Sequence, residues 1–139
     1  MSQGQLTYKG LVYPWHCDHM GHMNVMWYVG KFDEATWAFF ANIGLTPPML
    51  QAAGRGMATV DQHISYKREA MPGDTVEIFS RPLEIKAKTV RYVHEMIDCT
   101  SGEVSATCEL IAVHLDTSAR KSAEFPDNVR ERAMALLVD

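Results

Sequence analysis

The densest chemistry in the chain lies in one loop, His16-Cys17-Asp18-His19-Met20-Gly21-His22-Met23-Asn24. A carboxylate there can act as a general base on water or attack an electrophilic carbon directly. Asp18 is therefore a candidate for chemistry, and equally a residue that merely caps or shapes the loop. His22 is placed to orient Asp18 or to donate to water or substrate. Asn24 suits either a supporting role or a plain helix cap. His16, Asp18, His19 and His22 together also fit a metal-dependent hydrolase, since imidazole and carboxylate ligate divalent ions. Against that reading, Pro14 stands where such a motif needs an upstream His, and no second cluster adds ligands. No metal and no other cofactor is expected. Cys17 adjoins Asp18 at a strand end, so its side chain should face the other way.

The elements around this loop follow from hydrophobic period. Leu6 to Trp15 reads as a first strand, rich in Val, Leu and Tyr. After the loop, Val25, Tyr28, Phe32, Ala35, Phe39 and Ile43 recur at helical spacing, with Val29 and Phe40 widening the stripe. Asn24 is a good N-cap, Gly44 a natural C′ residue, and Pro47 with Pro48 prevents continuation. The spacing predicts a helix over residues 25–43, about 28 Å long. Free amides at its first turn, near Val25 and Met26, would stabilise an oxygen that gains negative charge. Loop and helix start thus form one device.

The remainder reads as β-structure. Strands are expected over Met57 to Lys67, Thr75 to Lys88, Thr89 to Cys99 and Val104 to Leu115, with turns at Met71-Pro72-Gly73-Asp74 and Ser101-Gly102. Val60, Gln62, Ile64 and Tyr66 should share one face. The last strand carries apolar residues on both faces, which predicts two covering layers and hence a second subunit. Asp127 to Leu137 reads as a closing helix. One strand, one long helix and about four antiparallel strands make an α+β architecture, satisfied by a curved sheet wrapped on the helix.

At 139 residues the chain suits one domain, 1–139, with a core that needs no disulfide. Its net charge of −4 argues against non-specific nucleic-acid binding. Three cysteines without regular spacing imply a reducing compartment, the cytoplasm. Neither a signal peptide nor a membrane helix is expected.

The segment Tyr13-Pro14-Trp15-His16-Cys17-Asp18 through Gly21-His22-Met23-Asn24 to Tyr28 resembles the active-site loop of the 4-hydroxybenzoyl-CoA thioesterase-like family. Phe32-Asp33-Glu34-Ala35, the Tyr66 to Asp74 segment and the Leu115 to Pro126 segment are similar to that family's helix, Gly-Asp turn and closing strand. The resemblance implies a hotdog fold, a curved antiparallel β-sheet around a central helix. It implies hydrolysis of an acyl-CoA thioester to free acid and CoA, with Asp18 as nucleophile or general base. His22 would assist, and Asn24, the Val25 amide and Tyr28 would support the loop or polarise the carbonyl. Lys86, Lys88 and Arg91, near a strand turn, would contact CoA. The family forms dimers or tetramers with active sites between subunits, so a homodimer or homotetramer is expected.

Some relatives carry a catalytic His seven residues after the Asp, where this chain has Val25, which speaks against a His-assisted mechanism. Another branch uses a carboxylate from the central helix. Glu34 and Asp33 are nearly three turns from the helix start, and a solvated role suits them better. Met20, Met23, Met26, Trp27 and Met57 hint at an apolar acyl pocket. Other roles compatible with the fold are an acyl-thioester dehydratase, whose His-Phe-Pro-Gly stretch is missing, and a non-catalytic acyl-CoA-binding protein.

Overall fold

A computed structural model describes residues 4–137. Strand β1, Gln5–Leu11, leads to a 3₁₀ turn, Pro14–His16, and then to helix α1, Val25–Asn42. The first strand is shorter than its composition suggested. Pro14 has no N–H to offer a ladder, and the Tyr13 N–H donates instead to Nδ1 of His16 at 3.0 Å. Helix α1 starts and stops as its sequence dictates. Asn24 accepts from the Met26 N–H at 2.9 Å, and Gly44 beyond the C-terminus takes φ 95°.

Helix α2, Pro47–Ala53, was not expected. Pro47 and Pro48 end α1 but begin α2, because the first helical positions have no N–H to lose. Thr46 caps it at 3.4 Å, and Gly54 closes it in the left-handed region. The remaining elements are β2 (Arg55–Tyr66), β3 (Thr75–Ile85), β4 (Thr89–Asp98), β5 (Val104–Asp116), β6 (Lys121–Ser122) and α3 (Asp127–Ala135).

The sheet order is β1-β3-β4-β5-β2, every pairing is antiparallel, and β6 adds to β5. Register breaks interrupt each long pairing. Such bulges bend a sheet and sharpen its twist, so it curls around α1 in the hotdog arrangement. In β2 the break falls between Thr59 and Asp61, so Val60 has no cross-strand partner and does not share a regular face with Gln62. Tyr28, Phe32, Ala35 and Phe39 of α1 are buried against Ile78, Tyr92, Met96, Cys108 and Leu110 of the sheet. A polar chain crosses this core. Thr36 meets Nε2 of His94 at 2.8 Å, Nδ1 of His94 meets Ser80 at 2.6 Å, and Ser80 meets Thr7 at 2.7 Å.

Only one face of β5 is fully covered. Ala106, Cys108, Leu110 and Ala112 are buried, whereas Ile111, Val113 and Leu115 on the other face remain half-buried. The second layer expected from sequence is not supplied by the described residues. Among the described residues, no helix is long and apolar enough to cross a membrane.

Candidate active site

The loop between the 3₁₀ turn and α1 is held at both ends. Cys17 and Met23 form an isolated antiparallel bridge, and the Asn24 N–H donates to the His16 carbonyl at 2.9 Å. Between them the chain reverses tightly. The Gly21 N–H donates to the Asp18 carbonyl at 3.0 Å, and Gly21 sits at φ 87°, where other residues are strained. The loop is tied to the end of the sheet by the Met23 N–H, which donates to the Ala70 carbonyl at 2.8 Å.

Asp18 is half-buried at the tip of this frame. Its Oδ2 accepts from Nδ2 of Asn24 at 2.9 Å and its Oδ1 from the Met20 N–H at 2.9 Å. The Asn24 amide, then the Met20 amide, hold the carboxyl below the usual carboxylate range, so it is ionised at neutral pH. Asn24 thus does two things with one side chain: Oδ1 caps α1 and Nδ2 grips Asp18. The Met26 amide, a candidate oxyanion donor from sequence, is occupied by that cap. The Val25 N–H has no partner among the described residues, and Val25 is exposed. An ionised carboxylate and a free helix N-terminal donor are therefore both fastened to Asn24.

His22 does not bond to Asp18. Its Nδ1 lies 3.3 Å from the Met23 carbonyl, and its Nε2 lies 4.0 Å from Glu69. Tyr28 is buried; its hydroxyl accepts from the Ala70 N–H at 3.2 Å and donates to the Arg68 carbonyl at 3.5 Å. Burial raises its pKa, so it stays a neutral phenol. Tyr28 clamps the segment after β2 and reaches the loop only through Ala70. His22, Val25, Tyr28, Tyr66 and Arg68 line a cleft of about 330 Å³ on one side of the helix start.

A second cleft, of about 550 Å³, opens between β1 and α1. Tyr13 and Trp15 stack there with centroids 4.3 Å apart, and the His16 ring lies 4.6 Å from that of Trp27. His16 is buried, and burial, followed by the nearby Lys31 charge, lowers its pKa, leaving a neutral ring. Sequence reasoning missed this cluster. Its signal, Tyr-Pro-Trp-His followed by Trp27, was visible, but only the 3₁₀ turn brings the rings together.

His16 is thereby committed elsewhere than Asp18. No group of three or more His, Cys, Asp or Glu that could hold a metal occurs among the described residues. Lys86 and Lys88 sit exposed in the β3–β4 turn, and Arg91 pairs with Glu109 at 3.5 Å and Glu84 at 3.9 Å. That turn adjoins the C-terminal half of β5, since the His114 N–H donates to the Lys88 carbonyl, and it lies at the opposite end of the sheet from the loop. The separation is about 30 Å of strand, so one chain does not bring these cations to Asp18. Asp33 and Glu34 are exposed on α1.

Known proteins resemble this chain in sequence and in fold. Residues 12–133 match the thioesterase-like superfamily. The betainyl-CoA thioesterase of Pseudomonas aeruginosa is 31% identical over 136 residues, covering 98% of this chain and 86% of that protein. An L-carnitine dehydrogenase/betainyl-CoA thioesterase of Agrobacterium fabrum is 32% identical over 109 residues, 78% of this chain but 22% of that longer protein. In fold, a Staphylococcus aureus protein solved in complex with CoA superposes with a TM-score of 0.90 at 18% identity, over 100% of this chain and 90% of the other. A 1,4-dihydroxy-2-naphthoyl-CoA thioesterase from Synechocystis gives 0.83 at 19% identity, over 96% and 98%. With a sheet curled on one helix, a fastened carboxylate at that helix's start and a family match over residues 12–133, the chain belongs to the thioesterase-like superfamily and is a thioester hydrolase.

Proposed function

We propose that this chain hydrolyses acyl-CoA thioesters through Asp18, in the cytoplasm and as a homodimer. The observation that carries the reading is the Asn24 side chain, which joins the ionised Asp18 carboxylate to the first turn of α1 beside the unpaired Val25 N–H. The thioester oxygen accepts from Val25 N–H, which offsets the negative charge that develops as the carbonyl carbon is attacked. In the general-base course, Asp18 takes a proton from water, the resulting hydroxide adds to the carbonyl carbon, and the C–S bond breaks. The proton then passes to the departing thiolate, giving free acid and CoA. In the nucleophilic course the carboxylate itself adds, CoA leaves, and water cleaves the anhydride. Both need the unprotonated carboxyl that the hydrogen bonds favour. His22 lines the cleft that Val25 also lines, so it acts on substrate or water rather than on Asp18.

What supports a dimer is strand β2. This strand spans twelve residues and, among the described residues, pairs with β5 alone, which leaves its other edge without a described partner. Tyr66 at its end lines the cleft beside Val25, and a second copy on this edge would close that cleft. Antiparallel pairing of two β2 strands would also carry one copy's Lys86–Lys88 turn toward the other's Tyr66 end, where CoA phosphates could be met. The substrate class suggested by the betainyl-CoA thioesterase relative is a small acyl-CoA with a quaternary ammonium.

The test is release of CoA from a panel of acyl-CoA esters, read with a thiol-reactive chromophore. Asp18→Asn should lower kcat by about 10²–10⁴-fold while keeping the fold and acyl-CoA binding. A variant with near-normal turnover rejects the assignment.

A further inference from the structure

We infer that the aromatic cleft between β1 and α1 is the subsite for a trimethylammonium group at the end of the acyl chain. The inference rests on the thioesterase reading above and deepens it. Five rings line it: Tyr8, which Lys31 Nζ covers at 5.0 Å, and the cluster of Tyr13, Trp15, His16 and Trp27. A quaternary ammonium cannot donate a hydrogen bond, and ring faces hold it through their quadrupoles, Trp best of all. Trp15 is 66% exposed although it stacks on Tyr13 at 4.3 Å with an interplanar angle of 4°, so the pair presents an aromatic surface open to a ligand.

The two charges in the cleft oppose each other, with Lys31 acting on the His16 ring more strongly than Glu34, but only the carboxylate is exposed. Two ionisable side chains of α1 line it, Lys31 and Glu34. Lys31 is 3% exposed and already engaged, donating to the Tyr8 hydroxyl at 2.7 Å and to the Leu11 carbonyl at 3.4 Å. Glu34 is exposed and has no ion pair with Lys31 or any other described cation within 4.0 Å. It is the cleft's lining carboxylate and is free to face a ligand cation. The His16 ring is neutral and adds no opposing charge.

The cleft adjoins the loop that holds Asp18, on the face of α1 opposite Val25. The His16 carbonyl accepts from the N–H of Asn24, the residue that grips Asp18, and Trp27 lies in the first turn of α1 with its N–H on the Asn24 carbonyl at 2.9 Å. A thioester carbonyl on the Val25 N–H, at the end of the helix, would leave CoA on the side of Val25 and Tyr66 and turn its acyl chain round the first turn to Trp27 on the opposite face, with Glu34 further along that face. From Val25 to Glu34 the helix rises about 13 Å. The near rings suit a short cationic acyl group, and the run toward Glu34 has room for one a few methylenes longer.

The test compares cationic acyl groups with neutral isosteres of equal shape at two lengths. Betainyl-CoA is paired with 3,3-dimethylbutyryl-CoA, and 4-trimethylammoniobutyryl-CoA with 5,5-dimethylhexanoyl-CoA. Because an α-ammonium also activates its own thioester, binding of the free acids is measured alongside by calorimetry. Expected is at least about tenfold tighter binding of the cationic acid at one or both lengths. Trp15→Ala and Glu34→Gln should each reduce that preference by about three- to tenfold, as should the ratio of the two kcat/KM values. Trp15 and Glu34 are exposed, so both variants should fold, which circular dichroism checks. Parity of cation and isostere at both lengths overturns the inference, as does a preference that survives both substitutions, or a preference for anionic succinyl-CoA through Lys31. Asp18-dependent cleavage without cation preference sinks the inference alone. Cation-selective binding with no thiol released from any ester sinks the thioesterase reading alone.

Discussion

Asn24 offers the sharpest perturbation, because its two functions can be separated. Oδ1 accepts from Met26 N–H and Nδ2 donates to Asp18 Oδ2, each at 2.9 Å. Asn24→Asp keeps a good cap, since Asp and Asn serve that position almost equally. It also replaces the donor on Asp18 with a second carboxyl at hydrogen-bond distance. Asp18 now sits below the ordinary carboxylate range, chiefly through Asn24. Two carboxylates sharing such a site cannot both ionise easily, and one apparent pKa should rise by about one to three units. An active carboxylate gives an acid limb, with activity lost as pH falls through its pKa. In the wild type that limb lies below the ordinary carboxylate range, and in Asn24→Asp it should move upward by about one to three pH units. Asn24→Ser keeps a cap but cannot span to Asp18, so it should lower kcat and let the limb rise toward the ordinary carboxylate range, less than Asn24→Asp does. Asn24→Ala loses the cap as well and should cost about 1 kcal/mol in urea unfolding. The assay is kcat/KM against pH for thiol release, with denaturation of the same samples. An acid limb that stays put in Asn24→Asp, with stability unchanged, would refute Asp18 as the reacting carboxylate.

His22→Ala should reduce kcat less than Asp18→Asn, by about tenfold or under, as measured in parallel on one acyl-CoA; equal losses would show that the two act as a unit. His94 is fully buried and burial lowers its pKa to about 3, so the native state refuses a proton that the unfolded chain accepts below about pH 6.5. Stability should therefore fall as pH drops from 6.5, by about 1.4 kcal/mol per unit and about 2 kcal/mol at pH 5. His16 shares that direction, so the His94 share is the slope lost in His94→Gln during urea unfolding at pH 5–7. Phe39 is wholly buried against Tyr92, and Phe39→Ala should cost about 3–5 kcal/mol by the same method. Sedimentation should show a dimer at micromolar concentration, and a monodisperse monomer would refute pairing through β2.

What the sequence revealed depended on how far apart the interacting residues are along the chain. Helix α1 was legible at both ends because its cap, its stripe and its terminal glycine are local, and the burial of Tyr28, Phe32, Ala35 and Phe39 follows the period. Asp18 and Asn24 were legible as neighbours for the same reason, only six positions separating them. Helix α2 was missed because its two prolines were read for what they end and not for what they begin. Of the two roles offered for His22, orienting Asp18 has no hydrogen bond behind it, because His22 looks toward Glu69 after β2, which no spacing rule encodes. The basic residues expected around CoA show the largest gap, since they are separated from Asp18 by the length of a strand that only the sheet topology lays out. A strand edge left unpaired next to Tyr66 offers to close that distance from outside the chain. The part of the site that sequence leaves unreadable is thus the part that a second copy would complete.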